Sequence, residues 1–137
     1  MLADDTVQRV PLLYMQFNNT MRNRYAAHID FRDFAGVIPS NPLFLPSNVD
    51  MMAERHGSFF IGEWKKPNEE VSTGQKFLLK AQARVRNNTV VIINGSTDGP
   101  VTYVNDFYRV TDAGTTEKIG SGLPTLIEYY RHWYQHA

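Results

Sequence analysis

The chain contains no cysteine, which excludes a disulfide framework, a thiolate zinc site and a cysteine nucleophile together. It also has no excess of either charge, because 14 basic residues stand against 14 acidic ones. That balance excludes a highly basic packaging protein, so any grip on nucleic acid has to come from a local basic surface. No apolar run approaches the roughly 18 residues that a membrane span needs. The first residues also lack the basic-then-apolar layout of a secretory signal. A soluble, cytoplasmic protein with no membrane partner is the expectation. Repeats and low-complexity runs are missing too, and 137 residues suit one domain, spanning 1–137, better than two.

What is present reads as a mixture of helices and strands. TVQRVPLLYMQFNNTMRNRYAA, residues 6–27, mixes apolar and polar positions after a possible N-cap at Thr6, and Pro11 shortens any helix there. GVIPSNPLFLPSN carries three prolines and reads as an irregular connection. NVDMMAE and FFIGEWK then form two strand-like runs around RHGS, whose glycine suits a hairpin turn. STGQKFLLKAQARVRN spaces Phe77, Leu78, Ala81 and Val85 along one helical stripe and Lys76, Lys80 and Arg84 along another. Thr89 to Ile93 is a β-branched run of the kind found in strands buried on both faces. VTYVNDFYRV, residues 101–110, is a further strand closed off by the glycine-rich TDAGTTEKIGSG. Leu123 to Tyr134 starts with Pro124 near a first helical position and spaces Leu126, Ile127, Tyr130 and Trp133 as a packed helix does. The order describes an α/β domain with a small mixed β-sheet flanked by helices.

One constellation carries chemistry. If the hairpin turns over Arg55 to Ser58, Glu54 faces Phe59, Met52 faces Ile61 and Asp50 faces Glu63. Directly opposed side chains share a face with Cβ atoms about 4.5–5.5 Å apart, where like charges are destabilising. Two carboxylates so placed need a proton, a cation or a lysine between them. Lys65 lies two residues after Glu63 on the same face, and a hard divalent cation prefers carboxylate oxygens. Together they could polarise a phosphoryl oxygen, activate a bound water and stabilise developing negative charge, which is phosphodiester hydrolysis. The plain alternative is a solvated cross-strand charge at a strand end. Against it, Glu63 and Lys65 share parity with Phe59 and Ile61 and so continue the face that should be buried.

An Asp on one strand, Glu63-Trp64-Lys65 on the next, Pro67, and a helix opening Ser72-Thr73-Gly74-Gln75 resemble the PD-(D/E)XK nuclease superfamily. The pattern is most similar to its virus-type replication-repair nuclease group (VRR-NUC), over residues 48 to about 95. The chain departs from that group in having Ser47-Asn48-Val49-Asp50 where a glycine commonly opens the approach to the first acid. The group's acid on a first helix falls nearest Asp4 or Asp5, ahead of Gln8. The resemblance implies a restriction-endonuclease-like core and a Mg²⁺- or Mn²⁺-dependent DNA nuclease of replication, repair or recombination. It implies metal ligation by Asp50, Glu63 and the main-chain carbonyl of Trp64, a catalytic role for Lys65 and a supporting one for Gln75. It also implies a possible homodimer. Gln75 has a second explanation, because Ser72 and Gln75 have the spacing of a capping box.

Lys66 and Lys76 flank the proposed site and are candidate phosphate contacts, with Lys80, Arg84 and Arg86 further along the helix. Lys76, Lys80 and Arg84 are as readily the wet face of that helix. Arg22, Arg24 and Arg32, interleaved with Tyr25, Phe31 and Phe34, form a second candidate zone for an unpaired strand. His28 and Asp30 fit a packed connection better than a substrate contact, and His56 fits a turn. His132 and His136 have metal-ligand spacing on a helix, but a helix C-terminus favours histidine in any case.

Overall fold

The computed structural model describes residues 30–137. The helix expected over residues 6–27, and with it Asp4, Asp5, Gln8, Arg22, Arg24 and His28, lies outside the described residues. A short 3-10 turn, Arg32–Phe34, opens the described chain. Strand β1 (Met51–Arg55), strand β2 (Ser58–Lys65), helix α1 (Thr73–Arg84), strands β3 (Asn88–Ser96), β4 (Tyr103–Val110) and β5 (Thr116–Ser121), and helix α2 (Leu123–His136) follow. The five strands form one sheet in sequence order, with β2 and β3 parallel and every other neighbouring pair antiparallel. This is the expected mixed sheet with helices.

The β1–β2 hairpin has the expected register, with Glu54 opposite Phe59 and Met52 opposite Ile61. Arg55 still pairs with Ser58, so only His56 and Gly57 turn the chain. Their φ values of 51° and 82° are both positive, as the two-residue turn that matches strand twist requires. Strand β1 starts at Met51, which leaves Asp50 one residue before the ladder.

Parallel pairing of β2 and β3 requires a crossover, and α1 supplies it. Strand β2 therefore buries both faces. Phe60, with Val91, Ile93, Phe107, Leu126 and Trp133, packs on the α2 side, where its ring lies 5.2 Å from Tyr130 and 5.5 Å from Trp133. Ile61, with Leu79, Val90 and Val110, packs on the α1 side. The alternation that sends Phe60 to one core sends Ile61 and Glu63 to the other.

Three expectations need correction. The buried face of α1 is centred on Leu79, with Leu78 and Ala83 half-buried, while Phe77 and Val85 are 69 % and 52 % exposed. The helix is rotated by about one position because the sheet contacts the stripe through Gln75, Leu79 and Ala83, one turn apart along a single face. The segment TDAGTTEKIGSG is not only a closing loop, since Thr116–Ser121 forms the edge strand β5 against β4. Its polar outer positions hide the strand period. On α2, Leu126 and Trp133 are buried, but Ile127 is 44 % exposed.

Between β3 and β4 the register shifts, with Ile93 opposite Phe107 but Gly95 opposite Val104. Asn94 alone thus faces both Asn105 and Asp106, a β-bulge. A Cβ added to Gly95 would come 2.3 Å from the Tyr103 carbonyl oxygen and 3.0 Å from the Val104 Cα. The obstructing atoms are backbone and cannot rotate away. Gly95→Ala should therefore cost at least the ~1–3 kcal/mol typical of overpacking, read as a lower urea midpoint; an unchanged midpoint would mean that the bulge relaxes freely.

Candidate active site

The site is assembled where the parallel strands end. Ser72 caps α1 by accepting the Gln75 N–H at 3.2 Å, and the Gln75 Oε1 accepts the Ser72 N–H at 3.3 Å. This reciprocal capping box starts the helix beside the carboxyl end of β2. The same Gln75 side chain then uses its other end, donating from Nε2 to Glu63 Oε1 at 2.7 Å. Capping and site contact are therefore not alternatives. The oxygen caps and the nitrogen holds the acid.

Glu63 is 6 % exposed, the deepest acidic residue of the sheet. Lys65 approaches the same Oε1 at 3.4 Å, and its own side chain is only 14 % exposed. Asp50, just outside β1, accepts the Trp64 N–H on Oδ2 at 2.9 Å. A strand residue directs its N–H and C=O to the same edge, so the Trp64 carbonyl points toward the Asp50 side as well. Burial first, and the neighbouring Asp50 charge second, push the Glu63 carboxyl above the ordinary carboxylate range, and Lys65 only partly opposes them. One lysine does not neutralise two carboxylates. The first turn of α1 brings no acid of its own, so the partial positive charge of the helix N-terminus adds to the attraction for an anion at this end of the sheet.

The donor set suits a hard divalent cation. Mg²⁺ is commonly held by one or two carboxylates with waters and substrate phosphates completing its shell. Asp50, Glu63 and the Trp64 carbonyl offer oxygen only. Among the described residues no cluster of three or more His, Cys, Asp or Glu side chains assembles, and the pair is the acidic set that these residues bring together.

The remaining described candidates make other contacts or are exposed. Lys66 is paired with Asp98 at 2.5 Å, which raises its pKa. Lys76 is exposed on α1 and, with Lys80, borders an open trough of about 770 Å³ floored by Leu79, Ile92 and Val110. Arg32 is bound at the surface by Asp30 at 2.6 Å. His56 lies in the hairpin turn. His132 and His136 stack with ring centroids 4.0 Å apart, and His136 Nδ1 lies 2.8 Å from the His132 carbonyl oxygen. That geometry is a helix-end contact. Asn94, which the sequence does not single out, pairs in register with Lys65. The signal that could have found it is an amide residue closing a β-branched run. Compared with protein-family models, curated proteins and solved structures, the chain matches none.

The two ends of Gln75 can be separated by mutation. Ser72→Ala should cost about 1 kcal/mol of stability through the lost cap and leave the Glu63 contact in place. Gln75→Ala should cost a similar amount and also lower any activity of the site. Equal activity losses in the two variants would show that Gln75 matters only as a cap.

Proposed function

We propose that this chain is a metal-dependent DNA nuclease with a restriction-endonuclease-like core, of the PD-(D/E)XK superfamily and its VRR-NUC group. The observation that carries the reading is the buried Glu63 carboxylate, held by Gln75 and Lys65 on one oxygen and set beside Asp50 with less positive charge than the pair needs. Structural ion pairs are normally balanced; among the described residues this one has an acid left over. Asp50, Glu63 and the Trp64 carbonyl would hold Mg²⁺ or Mn²⁺, which when bound supplies Lewis acidity and a more acidic water.

The protein's own residues do the rest. Gln75 fixes the Glu63 rotamer by holding Oε1, so the carboxylate is pre-oriented before substrate arrives. The Asp50 bond to the Trp64 N–H ties the first acid to the strand that carries the second. Lys65 places an ammonium group within 3.4 Å of Glu63, where it can orient the attacking water and offset charge on the phosphate oxygens. The attacking water loses a proton to solvent as its oxygen bonds to phosphorus, the bridging P–O bond breaks, and its electron pair leaves on the sugar oxygen, which takes up a proton from solvent. Cleaving both strands of a duplex needs two such sites, which a homodimer would provide. A role in DNA replication, repair or recombination and an intracellular location follow from the same reading.

The test is incubation with labelled single-stranded, duplex, flap and junction DNA in Mg²⁺, Mn²⁺ and chelator. Metal-dependent cutting of at least one form is expected. DNA shifted but never cut would make the chain a nucleic-acid-binding protein that retains the site as structure. No interaction with any form would make it a protein-interaction adaptor.

A further inference from the structure

The polar row of the site does not end at Lys65. In the parallel register Lys65 stands beside Asn94, and paired residues of neighbouring strands share a face. Across the next strand Asn105 Nδ2 donates to Asn94 Oδ1 at 3.1 Å. Glu63, Lys65, Asn94 and Asn105 thus form a continuous polar track over β2, β3 and β4. It leads away from the acids at the carboxyl ends of the two parallel strands, where open α/β sheets bind their ligands.

Three observations argue that this track is more than a staple between strands. The bulge at Ile93/Gly95 sets the single Asn94 against Asn105 and Asp106, and bulges re-aim side chains beside active sites. Gly95 lets the β4 backbone come close enough to hold the bulge in place. Asp106 is occupied elsewhere, accepting from Ser121 Oγ at 2.5 Å and pairing with Lys118 at 3.3 Å. The amide pair is different. With one hydrogen bond between them among the described residues, and whichever way the two amides are turned, these residues leave one NH₂ group with hydrogens to donate.

We propose that the Asn94 amide, oriented by Asn105, is a substrate contact of the Glu63–Lys65 site and donates to a phosphate oxygen of the bound DNA strand. The proposal rests on the nuclease reading and extends it. It gives the strand a direction, from the acids across β3 toward β4, and makes Asn94 a neutral donor beside a charged one. Asn94 binds the phosphate in the ground state as well as in the transition state, so its loss should appear in KM rather than in kcat.

The experiment compares wild type, Asn94→Asp, Asn94→Ala and Asn105→Ala on the DNA form that the wild type cuts. Asn94→Asp is the decisive variant, because its carboxylate can still accept the Asn105 hydrogen bond but has no N–H and repels phosphate. It should raise KM by about tenfold or more, the scale of a lost phosphate hydrogen bond and an added like charge, with kcat within about twofold and an unchanged Tm. Asn94→Ala and Asn105→Ala should raise KM less. Unchanged KM in Asn94→Asp, with a wild type that cuts, would overturn the assignment of Asn94 alone. A KM rise matched by a fall in Tm in all three variants would also overturn it, in favour of a purely structural amide pair. A wild type that neither binds nor cuts DNA would overturn the nuclease reading and this contact with it.

Discussion

Glu63→Gln should make the protein more stable at about pH 8 in the presence of chelator, and this gain should shrink as the pH falls. The Glu63 carboxyl is held above its ordinary value of 4.5 by burial and by Asp50. A group whose folded pKa is raised contributes its stability below the unfolded value, and that contribution is lost as the pH rises through the folded value. Above that range the wild type keeps a buried anion beside a second carboxylate. The glutamine keeps the shape, accepts from Gln75 and Lys65 through its own oxygen, and carries no charge. Each kcal/mol should move the midpoint by about 2–8 °C, so melting curves of both proteins from about pH 4 to 8 can resolve the trend. A variant less stable than wild type at every pH would mean that Glu63 and Lys65 form a structural ion pair whose loss strands a buried ammonium group. Functional sites commonly carry such a stability cost, and its removal is what stabilises variants that have lost activity.

The second large effect concerns the metal alone. A ligand that binds only the folded state stabilises it by about 2.7 kcal/mol at 100 times its dissociation constant. A Mn²⁺ titration should therefore raise the Tm of the wild type by several degrees, with saturation. Asp50→Asn removes one of the two proposed charged ligands and should flatten the curve, while a surface control such as Glu117→Gln, on the exposed edge strand β5, should not. The cation should also draw the Glu63 proton off, so the shift should grow from about pH 5 to 8. Equal shifts in wild type and Asp50→Asn would identify the carboxylate pair as a structural feature that binds no ion.

Much of this site can be read from the chain before any coordinates. The RHGS glycine and the alternating runs around it specify a hairpin whose register points Asp50 toward Glu63, although the turn itself is two residues, His56 and Gly57, and not four. The parity of Glu63 with Phe59 and Ile61 foretells its burial. Ser72 and Gln75 foretell the helix start, but not that one amide group can cap with its oxygen and bind Glu63 with its nitrogen. That double use depends on where β2 ends relative to α1, a tertiary relation that no local spacing contains. The face of α1 was harder for a similar reason. Phe77, Leu78, Leu79 and Ala81 allow two neighbouring stripes, and contact with Ile61, Val90 and Val110 selects the one through Leu79. Strand β5 escaped notice because an edge strand can be polar on both sides, as Thr116, Glu117 and Lys118 are here. Asn94 escaped because its partner in register is 29 positions earlier, across the α1 crossover.

The most direct measurement is single-turnover cleavage of an end-labelled DNA by wild type and Glu63→Gln, purified side by side and assayed in Mn²⁺ and in chelator. The wild type should cut in Mn²⁺ and stop in chelator, and Glu63→Gln should fall by at least about a hundredfold, as when a transition-state electrostatic group is removed. Cleavage by Glu63→Gln at the wild-type rate would contradict the assignment of hydrolysis to this carboxylate pair.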